Sequence, residues 1–334
     1  MRPLSLVPFY FCFFASSIAV AVSSTRSAGI CSDPPKRLEW RQLSDPQKKS
    51  YIDAVLCLTK KKGISGIENA VNRFDDHYAV HSNQTDDIHW VGHFLHWHRY
   101  FVATYEAALR DECGYTDGQP YWDWSQDTEP QNPNSTKVFH TAIFDPETGF
   151  GGNGAYIELP MERNPYQLPG GTGGGCVQDG PFTPTNFMLN HPKKDCLRRD
   201  YIPRIMNTWG DPAIVAHVLA QKDFTSFARE LENKKTFAEP NIHGSGHFGV
   251  GGVLGTLGNA SLSPGDPLFY PHHAYLDFVF WTWQQQDLPT RLHQVGGPVK
   301  PLDYSGENVT LDFEVNIGKL AGNATLHDLL DTQE

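Results

Sequence analysis

The pattern of apolar and polar residues predicts a chain that is built mainly from helices. Apolar residues recur at helical spacing over residues 45–59, and Ser44 stands where an N-cap is expected. The same spacing predicts helices over residues 66–81, 94–110, 205–220, 224–232 and 271–286. The helix over 94–110 carries an apolar stripe and stops before Gly114, where glycine adopts the left-handed cap.

The middle of the chain lacks this periodicity. Residues 127–185 are rich in Pro, Gly and Asn and include the run GGTGGG at 170–175. That composition predicts a long loop region and not a separate domain. No linker or shift in composition divides the rest. We therefore expect residues 24–334 to form a single catalytic domain, without a separate C-terminal shielding domain.

Residues 1–23 differ from everything that follows. A short positive start, an apolar run and a stretch of small residues follow one another, which is the plan of a secretory signal peptide. A membrane anchor is the alternative, but the run is short for a span and no stop-transfer pattern follows it. We expect a secreted protein that is not attached to a membrane after signal cleavage.

Other features agree with secretion and exclude some partners. Removal of the signal leaves five cysteines, which predicts two disulfides and one free thiol without fixing the pairing. Glycosylation is predicted at the Asn-x-Ser/Thr sequons of Asn83, Asn134, Asn259, Asn308 and Asn323. The net charge of −11 argues against nucleic acid as a partner, because binding to phosphates needs a basic face.

Fifteen histidines include two clustered groups. The first group is His77, His81, His89, His93, His96 and His98. The second group is His243, His247, His272 and His273. Histidines four residues apart on a helix lie one turn apart and face one metal together, as the spacing of His243 and His247 predicts. Two pairs in the first group share that spacing, so spacing alone does not choose the ligands there.

Clusters of this kind favour a metal site over histidines that merely pack or hydrogen-bond. Several adjacent imidazoles would repel one another when protonated and would leave nitrogens unpaired when buried. The His-Glu-x-x-His motif of zinc proteases and the pattern of two histidines and one carboxylate are both missing. An all-imidazole site in two halves favours copper, with zinc as the alternative.

Two segments resemble the copper motifs of tyrosinases and catechol oxidases, the type 3 copper family. Residues 94–101 (FLHWHRYF) resemble the first motif, together with the spacing of the histidines before them, and residues 120–124 (PYWDW) match the tryptophan-rich segment that follows. Residues 266–274 (DPLFYPHHA) and Asp277 resemble the second motif. The likeness extends over residues 40–290 and is strongest to the short secreted enzymes of filamentous fungi.

The resemblance implies a mainly α-helical fold in which a four-helix bundle holds a dinuclear site, with long irregular loops around it. The implied ligands of the first copper ion are His81, His89 and His98, and those of the second are His243, His247 and His273. Asp277, one turn after His273, is expected to orient its ring. His272 is expected to lie behind the ligands, and Arg99 to support the site through a carboxylate. His93 and His96 are expected near the site without binding metal, and His77 in packing or at the surface.

The implied activity is the oxidation of o-diphenols to o-quinones with dioxygen. A glutamate before the second motif, here Glu239, is expected to hold a water, and an Asn after the fourth histidine would help to activate it. That position is Gly244, which favours diphenol oxidation with weak or no monophenol hydroxylation. Asp87 stands where many relatives have a cysteine that forms a thioether, so no such link is expected.

Three other functions stay open at this point. The first is a tyrosinase with full monophenol activity. The second is a tailoring enzyme of secondary metabolism with the same fold, which includes the case of a zinc-dependent enzyme without redox activity. The third is a non-enzymatic oxygen carrier similar to haemocyanin. Neither the natural phenol nor the oligomeric state follows from the sequence.

Overall fold

The computed structural model describes residues 35–232 and 239–332, and helices dominate these ranges. The predicted signal peptide and Cys31 lie outside the described residues. The α-helices are α1 (Asp45–Leu58), α2 (Arg73–Ile88), α3 (Phe94–Cys113), α4 (Pro203–Trp209), α5 (Pro212–Leu219), α6 (Phe224–Leu231), α7 (Ile242–Gly251), α8 (Phe269–Gln285) and α9 (Leu288–Arg291). Short 3-10 turns are Trp40–Gln42, Trp124–Gln126, Lys137–His140, Ala142–Phe144, Met161–Arg163, Ser263–Gly265 and His327–Leu329.

Four helices, α2, α3, α7 and α8, form the bundle at the centre of the fold. Helix α3 packs against α2 and α8, and α7 packs against α8. The predicted apolar stripe of α3 is buried along its whole length, at Phe94, Trp97, Phe101, Tyr105 and Leu109. A helix with one apolar face contributes to folding by burying that face, so the stripe sets the orientation of α3 in the bundle.

Several predicted helix boundaries were wrong. Helix α2 ends at Ile88 and not at residue 81, and local chemistry explains two further differences. Helix α2 begins at Arg73 and not at residue 66, because Gly66 and Asn69 have positive φ and Asn72 caps the helix through the N–H of Asp75. The helix predicted over 205–220 is two helices, α4 and α5. Pro212 cannot continue α4, and Asp211 caps α5 instead.

Helix α3 ends as predicted. Gly114 has a φ of 72°, and its N–H donates to the carbonyl of Arg110 at the end of the helix. A left-handed residue is easily supplied by glycine, which has no Cβ to clash with the preceding carbonyl. The glycine cap therefore fixes where the helix that carries His98 ends.

The predicted long loop region is present between α3 and α4. Its regular structure is limited to short 3-10 turns and an antiparallel ribbon of strands β1 (Gly154–Tyr156) and β2 (Gly174–Val177), in which Gly154 pairs with Val177. A second ribbon joins β3 (Glu314–Val315) to β4 (Ala324–Thr325). Buried aromatic residues such as Phe139, Phe150 and Phe182 fasten these loops to the main core.

Two disulfides are present among the described residues, as predicted. Cys57 pairs with Cys113, which joins the C-terminal ends of α1 and α3, and Cys176 pairs with Cys196 within the loop region. Cross-links of this kind stabilise the fold by restricting the unfolded chain. A search of the described ranges found no helix with the length and apolar content that a membrane span requires.

Candidate metal centre

Three histidines of the first group are brought together by the middle and the C-terminal cap of α2 and by the start of α3. His81 lies on α2, His89 is its C-terminal cap residue, and His98 lies on α3. One ring nitrogen from each lies within 4.8 Å of the others, and all three residues are buried. Three nitrogen donors at this separation fit a single metal ion.

Main-chain carbonyls fix the tautomers of two of these rings. Nδ1 of His89 contacts the carbonyl of Thr85 at 2.8 Å, and Nδ1 of His98 contacts that of Phe94 at 2.9 Å. A carbonyl only accepts hydrogen bonds, so each Nδ1 carries the proton and each Nε2 keeps its lone pair. This is the second hydrogen bond that orients histidines in metal sites.

The second group comes from the facing pair of helices. His243 and His247 lie one turn apart on α7, and His272 and His273 are neighbours on α8. Nδ1 of His247 donates to the carbonyl of Leu257 at 2.9 Å, which directs its Nε2 to within 3.2 Å of Nε2 of His273. Donor nitrogens from all four residues lie within 4.8 Å of one another.

The two groups face each other across the bundle. The rings of His98 and His273 stack with centroids 4.4 Å apart, and those of His89 and His243 lie 6.0 Å apart and nearly parallel. The described residues therefore hold two adjacent all-imidazole donor sets. Such an arrangement fits two metal ions close together.

Electrostatics support metal binding by these rings. Burial lowers the pKa of His89 and of His247 to about 4. Burial, and then repulsion from the neighbouring imidazoles, lowers the pKa of His81 and of His243 well below the usual value. At neutral pH the rings are therefore neutral, which is the form that binds metal.

Unpaired nitrogens give an independent test of fit. The buried Nε2 atoms of His81, His98 and His243 have no hydrogen-bond partner among the described residues. A buried polar atom without a partner costs about 1–3 kcal/mol, so a native protein rarely leaves several together. Neutral imidazole is a donor that copper prefers, and metal ions between these rings would satisfy the unpaired nitrogens.

His272 and His273, which are neighbours on α8, have different surroundings. The ring of His273 lies between the two donor sets, stacked on His98. His272 packs against Trp124 and against Gly246, where a Cβ would collide with its ring. Both belong to the donor cluster, and the choice of His273 as the ligand stays a prediction.

The other clustered histidines lie apart from the donor sets. His77 is buried beside Phe101 and Tyr105, with Nδ1 against the carbonyl of Arg73. The ring of His93 stacks on Phe313. His96 packs between Phe224 and Phe280 on the far side of α3. None of the three joins the metal-binding clusters found in the described part of the chain.

The structure corrects the role expected for Asp277. Its carboxylate accepts hydrogen bonds from Arg99 Nε at 2.6 Å and from an Arg37 nitrogen at 2.8 Å. Within the described ranges, Nδ1 of His273 has no hydrogen-bond partner. Two guanidinium groups are stronger partners for a carboxylate than one neutral imidazole. Arg99 thus contacts a carboxylate, as expected, and the pair joins α3 to α8 behind the histidines.

A cavity of about 310 Å³ opens onto both donor sets. Its lining residues are His89, Trp90, Tyr166, Trp209, Glu232, Asn241, His243, Gly244, His247, Phe248, Leu257, Gly258, Ala260 and Ser263. The lining is mostly apolar and aromatic, with few polar groups, as in pockets for small aromatic ligands. This volume and composition suit a flat ring next to the metal ions.

The carboxylate of this cavity is Glu232 and not the expected Glu239. Glu239 is exposed and does not line the cavity. Glu232 is buried at the end of α6, and Oε1 lies 4.0 Å from Nδ1 of His243. Burial raises the pKa of Glu232 well above its usual value. Sequence distance to the second motif favoured Glu239, whereas Glu232 is the glutamate that lines the cavity.

Gly244 lies beside His243 as expected, and its missing side chain has a structural reason. A Cβ at this position would lie 2.9 Å from Cζ3 of Trp209 and 3.1 Å from Oδ1 of Asn241. Trp209 therefore fills the space that a side chain at 244 would need. The amide oxygen of Asn241 accepts the N–H of Gly244 as the cap of α7, so it is already engaged.

Sequence reasoning missed the aromatic and acidic residues of the cavity. Trp90, Trp209 and Glu232 belong to no motif, and they meet only through tertiary packing. The position of Trp90 directly after His89 was the one available signal. The five predicted glycosylation sites are all exposed, and glycosylation itself stays a prediction.

Comparison with known proteins finds the same family over most of the chain. The sequence profile of the common central domain of tyrosinase matches residues 71–286, which span both histidine groups. Tyrosinase-like protein phomQ1 of Diaporthe leptostromiformis is 33% identical over 325 residues, which cover 91% of this chain and 76% of that protein. N-acetyl-6-hydroxytryptophan oxidase ivoB of Emericella nidulans is 30% identical and covers 95% of this chain and 94% of its own length.

A solved structure agrees in fold and sequence. The polyphenol oxidase of Thermothelomyces thermophila, in a variant with one glycine replaced by asparagine, superposes with a TM-score of 0.72. It is 31% identical and covers 89% of this chain and 86% of its own. Likeness at this level extends over the bundle and its loops together.

Proposed function

This chain belongs to the tyrosinase family of type 3 copper proteins, and on that premise we propose that it oxidises o-diphenols to o-quinones, with little monophenol hydroxylation. The family implies a dinuclear copper centre. The balanced reaction consumes two diphenols and one dioxygen and forms two quinones and two waters. The observation that carries the choice of diphenols is the contact between Gly244 and Trp209.

Six imidazoles are proposed to hold the copper ions. His81, His89 and His98 would bind the first ion, and His243, His247 and His273 the second. Carbonyls of Thr85, Phe94 and Leu257 hold the protons of three rings at Nδ1 and keep the Nε2 lone pairs directed inward. Copper, when bound, supplies the transfer of electrons from diphenol to dioxygen.

The protein's own contribution is to admit and orient a ring. Trp209 and Phe248 line the cavity beside the donor sets, so a flat substrate displaces water from aromatic surface as it enters. A diphenol brings two acidic hydroxyl groups and needs no hydroxylation step. The apolar cavity and the inward-facing imidazoles are sufficient for its binding and orientation.

Monophenol hydroxylation is proposed to be weak because residue 244, next to His243, supplies no side chain that could activate a base. Gly244 offers no polar group, and Trp209 occupies the space beside it. Both carboxylate oxygens of Glu232 accept the N–H of Trp90, at 2.9 and 3.0 Å. The carboxylate of Glu232 is therefore already engaged by the main chain.

A place in secondary metabolism is a second proposal, supported by the relatives. One of them is named for the oxidation of N-acetyl-6-hydroxytryptophan, a hydroxylated ring on a larger scaffold. We propose that this chain acts on a comparable hydroxylated aromatic compound outside the cell. Copper is proposed over zinc, because the family match favours redox chemistry.

The test compares a matched pair of substrates, 4-methylcatechol and 4-methylphenol, on copper-loaded protein. The expected kcat/KM is at least about tenfold higher for the catechol, a difference of about 1.4 kcal/mol in barrier. Equal values for the two substrates would contradict the preference for diphenols. Reversible oxygen binding without turnover of either substrate would favour an oxygen carrier.

A further inference from the structure

Trp90 has a backbone conformation that a bulky residue rarely adopts. Its φ is +56°, in the left-handed region, where a side chain crowds the neighbouring carbonyl. Such conformations cost about 1–3 kcal/mol and persist where the surroundings fix them. Trp90 also directly follows His89, a proposed ligand of the first copper ion.

Hydrogen bonds from two distant parts of the chain hold this conformation. The N–H of Trp90 donates to both carboxylate oxygens of Glu232, and its carbonyl accepts the N–H of Leu302 at 3.0 Å. Two residues on, the N–H of Gly92 donates to the carbonyl of Pro298 at 2.8 Å. The turn after His89 is therefore fastened on both sides, and Trp90 is held in one orientation.

Trp90 lies in the wall of the cavity and is partly exposed to solvent. The side chain of Trp90 lines the cavity and is 37% exposed, whereas the ring of His89, 5.9 Å away, is buried. Trp90 is a large apolar side chain that is only partly buried, and its backbone is strained. It therefore contributes little to the stability of the fold. The strain is explained when a ligand covers the exposed face.

We propose that Trp90 is a specificity-determining residue that contacts the part of the substrate beyond its reactive ring, and that Glu232 is its positioning residue. This inference rests on the proposed function and names its substrate class: diphenols that carry a second aromatic or flat apolar group. The reactive ring lies deep, beside the buried imidazoles. The substituent extends to the opening, where the indole offers a stacking surface.

The kinetic test uses catechol and 4-phenylcatechol with Trp90→Ala, Trp90→Phe and the control Trp281→Ala. Trp281 is an indole of similar exposure, 38%, on α8 and outside the cavity. Trp90→Ala is expected to raise KM for 4-phenylcatechol about tenfold more than it raises KM for catechol. Trp90→Phe and Trp281→Ala are expected to change KM for 4-phenylcatechol less than about threefold. An equal change for both substrates, or none for 4-phenylcatechol, overturns the proposal.

The positioning role has its own test. Glu232→Gln keeps an oxygen that accepts the N–H of Trp90 and is expected to leave KM for 4-phenylcatechol within about threefold of wild type. Glu232→Leu removes the acceptor and is expected to reproduce the rise of Trp90→Ala. A wild-type KM in Glu232→Leu contradicts the positioning role.

Binding to the metal-free protein separates this inference from the proposed function. Calorimetric titration with 4-phenylphenol is expected to give a Kd about tenfold weaker for Trp90→Ala than for wild type. If that loss is found but the copper-loaded enzyme oxidises no diphenol, the proposed function fails and the assignment of Trp90 stands. If diphenols are oxidised and the Kd is unchanged, the assignment of Trp90 fails alone.

Discussion

At the scale of single residues, motif spacing predicted the histidines that meet in the structure. Main-chain carbonyls of Thr85, Phe94 and Leu257 fix the orientation of three of these rings. Which carbonyl binds which ring could not be predicted from the sequence. The role of Asp277 was wrong because Arg37 and Arg99, distant in sequence, compete for its carboxylate. Residues outside motifs, such as Glu232, become functional candidates only through tertiary packing.

The contact between Gly244 and Trp209 gives a prediction at this scale. Gly244→Asn brings a Cβ to within 2.9 Å of the indole, so it is expected to lower the free energy of unfolding by about 1–3 kcal/mol. Chemical denaturation measures the change. Gly322→Ala is the control, because a Cβ there meets no atom within 4 Å.

The companion variant makes the cause explicit. Gly244→Asn combined with Trp209→Leu is expected to recover part of the lost stability, since the smaller side chain leaves room for residue 244. Full stability in Gly244→Asn alone would show that Trp209 does not restrict this position.

At the scale of elements, helices with a clear apolar stripe were predictable and α7 was not. Its sequence, IHGSGHFGVG, contains four glycines, and glycine has low helix propensity. Tertiary packing overrides that propensity, because close approach of Trp209 to Gly244 and of His272 to Gly246 excludes larger residues. These close contacts allow α7 to place its two histidines against α8.

Helices α3 and α8 are joined by a buried ionic network that gives a second prediction. Asp277 bridges Arg99 and Arg37, and Arg37 also pairs with Glu106 on α3. Arg99→Met removes one partner of a buried carboxylate and is expected to cost about 3–5 kcal/mol of stability. The same change is expected to lower copper occupancy, since His98 and His273 lie on the two helices that separate.

The matched control for this network is an exposed pair on α1. Lys49→Met breaks the ion pair with Asp53. Both side chains of this pair are exposed to solvent, so no measurable change in stability is expected. Equal losses from Arg99→Met and Lys49→Met in urea denaturation would contradict the structural role of the buried network.

At the scale of the whole molecule, composition and periodicity predicted a helical fold with a long loop region, and the structure agrees. The two ribbons and the disulfide pairing could not be predicted from the sequence, because they depend on which distant segments of the chain meet. Many titratable groups end buried, and their joint effect is also a property of the whole fold. Together these groups make the stability of the folded protein depend on pH, and the histidines determine the sign of that dependence.

The metal-free protein is expected to lose stability as the pH falls from about 6.5 to about 4. Burial lowers the pKa of His77 and of His93 to about 4, so in this range the unfolded chain binds more protons than the folded one. The buried ligand histidines act in the same direction. Burial raises the pKa of Glu39, Asp75, Asp127 and Glu232, which opposes the effect of the histidines. These four carboxylates are fewer than the ten described histidines whose pKa burial lowers.

Thermal unfolding of the metal-free protein at several pH values checks this expectation. The Tm is expected to fall steadily below pH about 6.5, and copper is expected to reduce the fall, since bound metal competes with protons for the ligand nitrogens. A Tm that is constant between these pH values would contradict the burial of neutral imidazoles.

The central claim, a dinuclear copper centre held by both histidine groups, is tested most directly by elemental analysis of the copper-loaded protein and of variants in each group. The account predicts two copper ions per chain in wild type, and loss of copper in His98→Ala and in His247→Ala alike. One metal ion per chain, or two in either variant, would contradict it.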